Sequence, residues 1–531
     1  MPDETTTSKK GLAFWCIFTS ICVALFLSTL ELSAVATTLP TIAQELHADD
    51  FVWVGSAYAL SSTAFLPMSG GIAQIFGRCP ALLGALALFA LGSGLCGGAS
   101  DMQMLIAGRT VQGLGGGGIQ ALSAIILADL VTLRERAVYG GFFGLTWSIA
   151  GIVGPVVGGS LADQGQWRWL FYMNLPICGV AAAAVTVFMK LPTPSGTFTE
   201  KIKKLDWIGN ILVIGATAAC TIALTWGGVA APWSSARVIV PLIIGLVAFV
   251  VFLVWEARYA TYPLYINRSP VQSYLQTFFI GVVAITAVYY LPTYFQACKE
   301  ASPIRSGLMT LGLATLAPAA LIAGLIVKAS DRYRPPMWVG WCLVLVGLGL
   351  FTTLQADDIG SRSIGFSVLL GVGIGCEYST TVFPIQAPLP VSQNAQALAF
   401  LQFLRSFAGV WGVTIGATVL QNELSHRVPA TFFENFPQGV AIAYGIIPQI
   451  PSLREPFKDG IKQAFAESLK VVWQVLLAVG AVGFLSSLLM KDLPLHGRMD
   501  KDWALQSSRP AADVESQGAA NSTGEAEDCE K

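Results

Sequence analysis

Apolar runs of about twenty residues, the length that crosses a bilayer as a helix, recur along this chain from residue 12 to residue 490 with mostly short polar joints between them. Nothing else in the sequence constrains the fold as strongly. Fourteen runs lie near 12–39, 51–69, 80–99, 103–128, 138–161, 169–190, 207–227, 237–256, 274–296, 306–328, 337–354, 363–385, 396–420 and 467–490. In hydrocarbon the backbone polar groups must be satisfied within the segment, so each run reads as an α-helix. Composition agrees: the 531 residues are 54% hydrophobic and 12% charged, whereas soluble domains carry about 25% charged residues. The expected class is an all-α polytopic membrane protein, with the lipid bilayer as its first partner.

An even number of crossings leaves both termini on one side. Arg78, Arg134, Arg136, Lys201, Lys203, Lys204, Lys328 and Arg332 fall in joints on the same side as Lys9 and Lys10, while the opposite joints offer little beyond Arg168, Lys299, Arg305 and Arg362. Basic residues mark cytoplasmic loops, so both termini are expected in the cytoplasm and the long segment 421–466 outside. Its Pro-broken stretch PQGVAIAYGIIPQIPSL is expected to lie along the membrane surface, and the polar tail 491–531 to be disordered.

Several function classes drop out. A net charge of −1 gives no reason to expect a nucleic-acid partner. The ten cysteines form no CxxC pair and sit mostly inside apolar runs, so they read as small hydrophobes. His47, His426 and His496 fall between or beyond the runs, which argues against an intramembrane metal or haem site. No GxxxxGK[ST] loop, nucleophile elbow or HExxH motif occurs, which speaks against an ATP-driven pump and against an enzyme.

Charges inside spans are few and are functional candidates by default. Glu31 lies within LSTLELSAVATTLP in the first span; burial there disfavours its charged form, which makes it a candidate proton carrier. The other reading is a glutamate held permanently by a structural partner. Arg109, in LIAGRTVQGLGGGGIQAL, shares a helical face with Gln112, and the glycines beyond allow close helix approach. Glu377 in GIGCEYSTTVFP and Arg405 in FLRSFAGVWG are the charged counterparts in the second half. The joint GGIAQIFGRCP places Gly77 and Arg78 where a tight turn can clamp neighbouring helix ends. In GIVGPVVGGS, Gly154, Pro155, Gly158 and Gly159 weaken a helix but remove bulk from one stretch. This suits either simple close packing or a moving interface between helix bundles.

Together GGIAQIFGRCP, RTVQGLGGG and GPVVGG resemble the signatures of the major facilitator superfamily, in its fourteen-helix drug:proton antiporter branch as found in fungi. WRWLFYMNLP, KLDWIGNILV and YYLPTYFQACKEASPIRSG are similar to stretches of fungal toxin and multidrug efflux members. The resemblance runs in order from about residue 25 to 420. It departs from the family at Glu31, where aspartate is usual, at Gln74, also an aspartate position, at Cys79, where a second basic residue is usual, and at Ala150 in place of glycine. Gln74 and Cys79 weaken the charge clamp attributed to that loop.

The resemblance implies two six-helix bundles, 12–190 and 257–490, joined by a cytoplasmic loop 191–206 and an inserted helix pair 207–256, with an N-terminal tail 1–11. It implies a proton-coupled exporter of small organic molecules, with a substrate site near the midplane between bundles and alternating exposure to the two sides. Glu31, Arg109 and Gln112 would couple protons, and Gly77, Arg78, Gly154, Pro155, Gly158 and Gly159 would serve gating and packing. Trp147, Tyr289, Tyr290, Gln296, Glu377 and Arg405 are the candidate substrate contacts, since aromatics and a few polar groups suit amphipathic ligands. No cofactor is expected beyond the proton gradient. The protein is expected to act as a monomer at the plasma membrane; the competing reading is uptake, or vacuolar transport of solutes such as basic amino acids.

Overall fold

The computed structural model describes residues 11–46, 52–189, 191, 194, 197–228, 231–260, 271–358, 360–390, 393–428 and 447–495. The N-terminal ten residues, most of the Pro-broken stretch after 428 and the tail from 496 lie outside the described residues. Thirteen of the described helical segments are long and apolar enough to cross a membrane. A further 25-residue helix, α2 (Val52–Phe76), completes the fourteen expected runs.

The first bundle comprises α1 (Leu12–Glu45), α2, α3 (Arg78–Gly97), α4 (Met102–Leu130), α5 (Leu133–Asp163), and the pair α6 (Arg168–Tyr172) and α7 (Asn174–Phe188). Local chemistry sets several ends. Gly77 adopts φ +99°, which turns the chain between α2 and α3 and disfavours any side chain there. Asp101 caps α4 by accepting from the Met104 amide at 2.8 Å. Within the bundle α3 packs on α4, α2 on α4, and α1 on α5.

After a short helix, α8 (Phe198–Lys203), which opens with a Thr197–Glu200 capping box, comes the inserted pair α9 (Trp207–Trp226) and α10 (Ala236–Arg258). The second bundle contains α11 (Val271–Lys299), α12 (Pro303–Met309) continuing through a 3-10 turn into α13 (Leu316–Ser330), α14 (Arg334–Phe351), α15 (Gly360–Thr380) with α16 (Val382–Gln386), α17 (Asn394–Arg427) and α18 (Phe457–Leu488). Helix takes up both ends of the segment 421–466, to Arg427 and from Phe457, with a 3-10 turn at Ile447–Ser452. Hydropathy places those boundaries closer to the membrane, because charged helical turns escape that criterion.

The inserted pair does not separate the bundles. It lies against α2 and α17, where Phe249 stacks on Phe403 and Phe407, and Phe252 on Phe400. Ile243, Ile244, Val247, Val250 and Val254 stay exposed on α10, as a lipid-facing helix requires.

The bundles meet along two seams, α2 with α17 and α5 with α13. Contact tightens towards the end of the molecule where α1 begins, here called the terminal face. Along α2, Thr63 shares a 2.6 Å hydrogen bond with Ser406, a Cβ on Gly70 would lie 2.9 Å from the Ala399 methyl, and Gln74 hydrogen-bonds Gln396. Along α5, a Cβ on Gly141 would lie 2.9 Å from Leu321 Cα, whereas Gly151 and Gly159, further along, face open space. The described bundles therefore close on the terminal face and part towards the opposite one.

Candidate functional site

Five elements of the first bundle converge on one buried polar network. Arg109 Nη1 donates to Glu31 Oε1 at 2.9 Å and to Gln112 Oε1 at 2.6 Å, while its Nε donates to the Val54 carbonyl at 3.0 Å. Its guanidinium sits 4.4 Å from the Tyr58 ring centroid, a cation–π contact. Glu31 Oε2 accepts from Asn174 Nδ2 at 2.7 Å, and Gln112 Nε2 donates to Ser93 Oγ at 2.8 Å. Glu31, Arg109, Gln112, Ser93 and Asn174 are all fully buried.

The glycines of α4 make this approach possible. A Cβ on Gly116 would fall 2.2 Å from the Tyr58 hydroxyl, and one on Gly117 would fall 2.4 Å from the Ser62 carbonyl of α2. On the other side, Gly92 of α3 lies so close that a Cβ there would meet the Gln112 backbone nitrogen at 2.3 Å. Backbone-to-backbone contact brings side chains from α1, α2, α3 and α7 within reach of one arginine.

The network can hold two protonation states. With Glu31 ionised, a guanidinium and an amide satisfy one lone pair on each oxygen, as a buried charge requires. Protonation removes the attraction to Arg109 and creates an O–H that needs an acceptor. Asn174 Oδ1 is buried and has no partner among the described residues, and a flip of that amide would present it as one.

A second cluster closes the terminal face. Arg78, the first residue of α3, donates from Nε to Asp129 at 2.8 Å and from Nη1 to the Ala73 carbonyl at 2.9 Å, both side chains being buried. Asp129, near the end of α4, thus gives Arg78 an acidic partner from outside the loop signature, which has Gln at position 74. Gln74 instead reaches Gln396 of the other bundle. Arg136 donates to Gln386 at 2.7 Å and Glu135 pairs with Lys328 at 3.6 Å, both across the bundle boundary. Cys79 is half-buried.

The remaining expected residues scatter. Gly154 packs α5 against α1 within its own bundle, since a Cβ there would lie 1.9 Å from Ser33 Oγ; Pro155 falls inside α5, Gly158 is buried and Gly159 faces open space. Of the two readings of this motif, close packing describes Gly154, while Gly141 and Gly144 of the same helix abut Leu321 and Ala317 of the other bundle. Trp147 and Tyr289 are exposed, 40% and 49%. Tyr290 is buried between α11 and α17, its hydroxyl donating to the Val413 carbonyl at 2.7 Å. Gln296 donates to Ser306 at 3.0 Å within the second bundle. Glu377 and Arg405 are not paired: Arg405 donates to the Tyr378 carbonyl at 2.6 Å and lies 3.2 Å from the Thr381 hydroxyl.

Sequence reasoning missed Asn174, Ser93, Tyr58 and Asp129. Asn174 carries a signal, a polar side chain within an apolar run, and Asp129 stands just past the end of one; Ser93 and Tyr58 are too common in membrane helices to stand out.

The family model described as Major Facilitator Superfamily matches residues 21–413. The chain belongs to the major facilitator superfamily. It is 40% identical over 518 residues to "Efflux pump FUS6" of Gibberella fujikuroi, covering 95% of this chain and 93% of that one. It is 36% identical over 523 residues to "Acurin A biosynthesis cluster MFS-type transporter" of Aspergillus aculeatus, covering 96% and 94%. Among solved structures, the human organic anion transporter MFSD10 superposes with a TM-score of 0.57 at 15% identity, covering 90% of this chain and all of that one, a likeness of fold alone. This superfamily member is a transporter of the efflux-pump type and not an enzyme, and its fourteen helices fit the fourteen-helix drug:proton antiporter branch.

Proposed function

We propose that the protein couples inward proton movement at Glu31 to outward transport of a small organic molecule, with secondary metabolites as the substrate class. The observation that carries the coupling is the fully buried Glu31–Arg109–Asn174 arrangement, which satisfies the ionised carboxylate and holds an unpartnered acceptor ready for its acid form. Proton binding weakens the link between α1 and α4, and release restores it. Substrate class rests on the relatives, one of them named for a biosynthesis cluster. The terminal face is assigned to the cytoplasm by its basic joints, so the described state opens outwards. The protein works as a monomer in the plasma membrane.

The driving force suffices. One charge moving through 100 mV releases about 2.3 kcal/mol, and each pH unit adds about 1.4 kcal/mol.

The test is flux into inside-out vesicles under an imposed pH gradient, with a metabolite extract from the native host as the substrate pool and mass spectrometry as readout. Wild type is expected to accumulate a compound only with the gradient, and Glu31→Gln to lose that dependence. Full gradient-driven accumulation by Glu31→Gln would remove Glu31 from the proton path, and accumulation driven the opposite way would make the protein an uptake system.

A further inference from the structure

The second bundle holds a buried carboxyl that the Glu31 network does not use. Glu377 on α15 is fully buried, and among the described residues no side chain hydrogen-bonds either of its oxygens, the Trp341 backbone N–H being the one polar group directed at it. The groups placed against it are neutral: Gly340 of α14, where a Cβ would lie 2.7 Å from Oε1, the backbone of Trp341, and Cys376 on its own helix. Of the charged side chains nearby in the fold, Arg405 of α17 turns its Nη2 to the Tyr378 carbonyl and Thr381 and its Nη1 to Gln402, with its ring contact to Tyr378 at 4.5 Å. No ion pair to Glu377 occurs among the described residues.

Glu377 uses the pair of helices corresponding to that of the first network but sits nearer the terminal face: it lies towards the end of α15, whereas Gln112 lies towards the start of α4. α14 packs on α15 as α3 packs on α4, and Gly340 opens the contact to Glu377 as Gly92 opens it to Gln112. The first cluster contains a carboxylate with its arginine; the second contains a carboxyl with no charge partner among the described residues. In a water-excluded bundle a carboxyl without a charge partner is more easily accommodated as the neutral acid, the form that carries a proton.

We propose that Glu377 is a second proton-binding site, loaded in the outward-opening state and discharged towards the terminal face when the bundles part there. The route is built into the helix. Thr380 and Thr381 lie three and four residues on, on the same face, and further along Gln386 takes part in the gate through Arg136. When the Arg136–Gln386 contact opens, water entering past these hydroxyls accepts the proton from the Glu377 O–H and solvates the carboxylate left behind. The idea rests on proton-coupled export, but not on the assignment of Glu31.

Infrared spectra of the full chain in lipid nanodiscs at neutral pH test it. A protonated-acid carbonyl band is expected in wild type and in Glu31→Gln, and is expected to be lost in Glu377→Gln, an isosteric mimic of the neutral acid that should fold. Transfer to D2O is expected to shift the band, because a proton that is discharged must exchange. A wild-type spectrum without the band, or a band that survives in Glu377→Gln, overturns the site. A band that never shifts in D2O makes it a static acid and overturns the carrier role. Glu31→Gln vesicles that keep gradient-driven flux alongside a Glu377-dependent band would reject the Glu31 assignment and leave this one standing.

Discussion

The single side chain whose loss should matter most is Arg109, because it holds Glu31, Gln112 and the Val54 carbonyl at once. Removing one partner of a buried pair leaves an uncompensated charge and costs about 3–5 kcal/mol. Arg109→Ala should therefore lower thermal stability in detergent more than Glu31→Gln does. The double variant Glu31→Gln/Arg109→Gln should recover much of the loss, since neither charge remains. A double variant no more stable than Arg109→Ala would show that the arginine acts through its backbone and ring contacts instead. Gly116→Ala is the companion case: its methyl would meet the Tyr58 hydroxyl, and forcing the ring off Arg109 should cost about 1–3 kcal/mol. Scanning fluorimetry of the same variants checks both.

At the scale of elements, charge decides where helices begin and end, and this is also where the sequence was hardest to read. Fourteen crossings follow from hydropathy because lipid imposes it on every helix, and the run of glycines in α4 signals close helix packing by its composition alone. Hydropathy says little about helix that continues into water, as α17 does to Arg427 and α18 from Phe457. It is also silent about which neighbour a glycine serves, so Gly154 meets α1 while Gly141 meets α13. Asn174 lies 143 residues from Glu31 and Gln112 pairs with a serine on another helix; only packing brings such partners together.

One of these water-exposed ends can be tested by pH. Glu300, after α11, pairs with Lys458 at 2.6 Å and with Lys462, both on the first turns of α18. The Lys458 and Lys462 hydrogen bonds hold its carboxyl below the ordinary carboxylate range. A depressed carboxylate contributes fully above its unfolded value of about 4.3, and that contribution fades as pH falls through the lower folded value. Hydrogen exchange in the first turns of α18 should be unchanged from neutral pH to about 5 and should speed up as pH falls from about 4.3 through the lower folded value, after correction for intrinsic rates. Glu300→Gln should give the faster exchange already at neutral pH. The pair is partly exposed, so the effect belongs in the range of about 0.2–1 kcal/mol.

For the molecule as a whole, the question is what holds the terminal face shut in a chain that has Gln74 and Cys79 where its family usually places charges. The structure divides the task. Arg78 and Asp129 brace α3 against α4 inside the first bundle, while Gln74 with Gln396, Arg136 with Gln386 and a long, partly exposed Glu135–Lys328 ion pair cross to the second. A neutral contact between amides is worth about 1 kcal/mol, so the closed state is held lightly and by packing of small residues such as Gly70 against Ala399. Alternation needs a seam of this kind, since a ligand or proton can shift an equilibrium only by its difference in affinity for the two states. Replacing Gln74 and Gln396 with cysteine, in a Cys79→Ser background to prevent a competing bond, should let an oxidant lock the face. Gradient-driven efflux should then stop and return with reductant, while access of a water-soluble thiol reagent to a cysteine placed at Ile152 on the open side of α5 should persist in the locked protein. Efflux that continues through the locked form would mean that the α2–α17 seam does not open during transport, and would leave the α5–α13 seam to carry the whole movement.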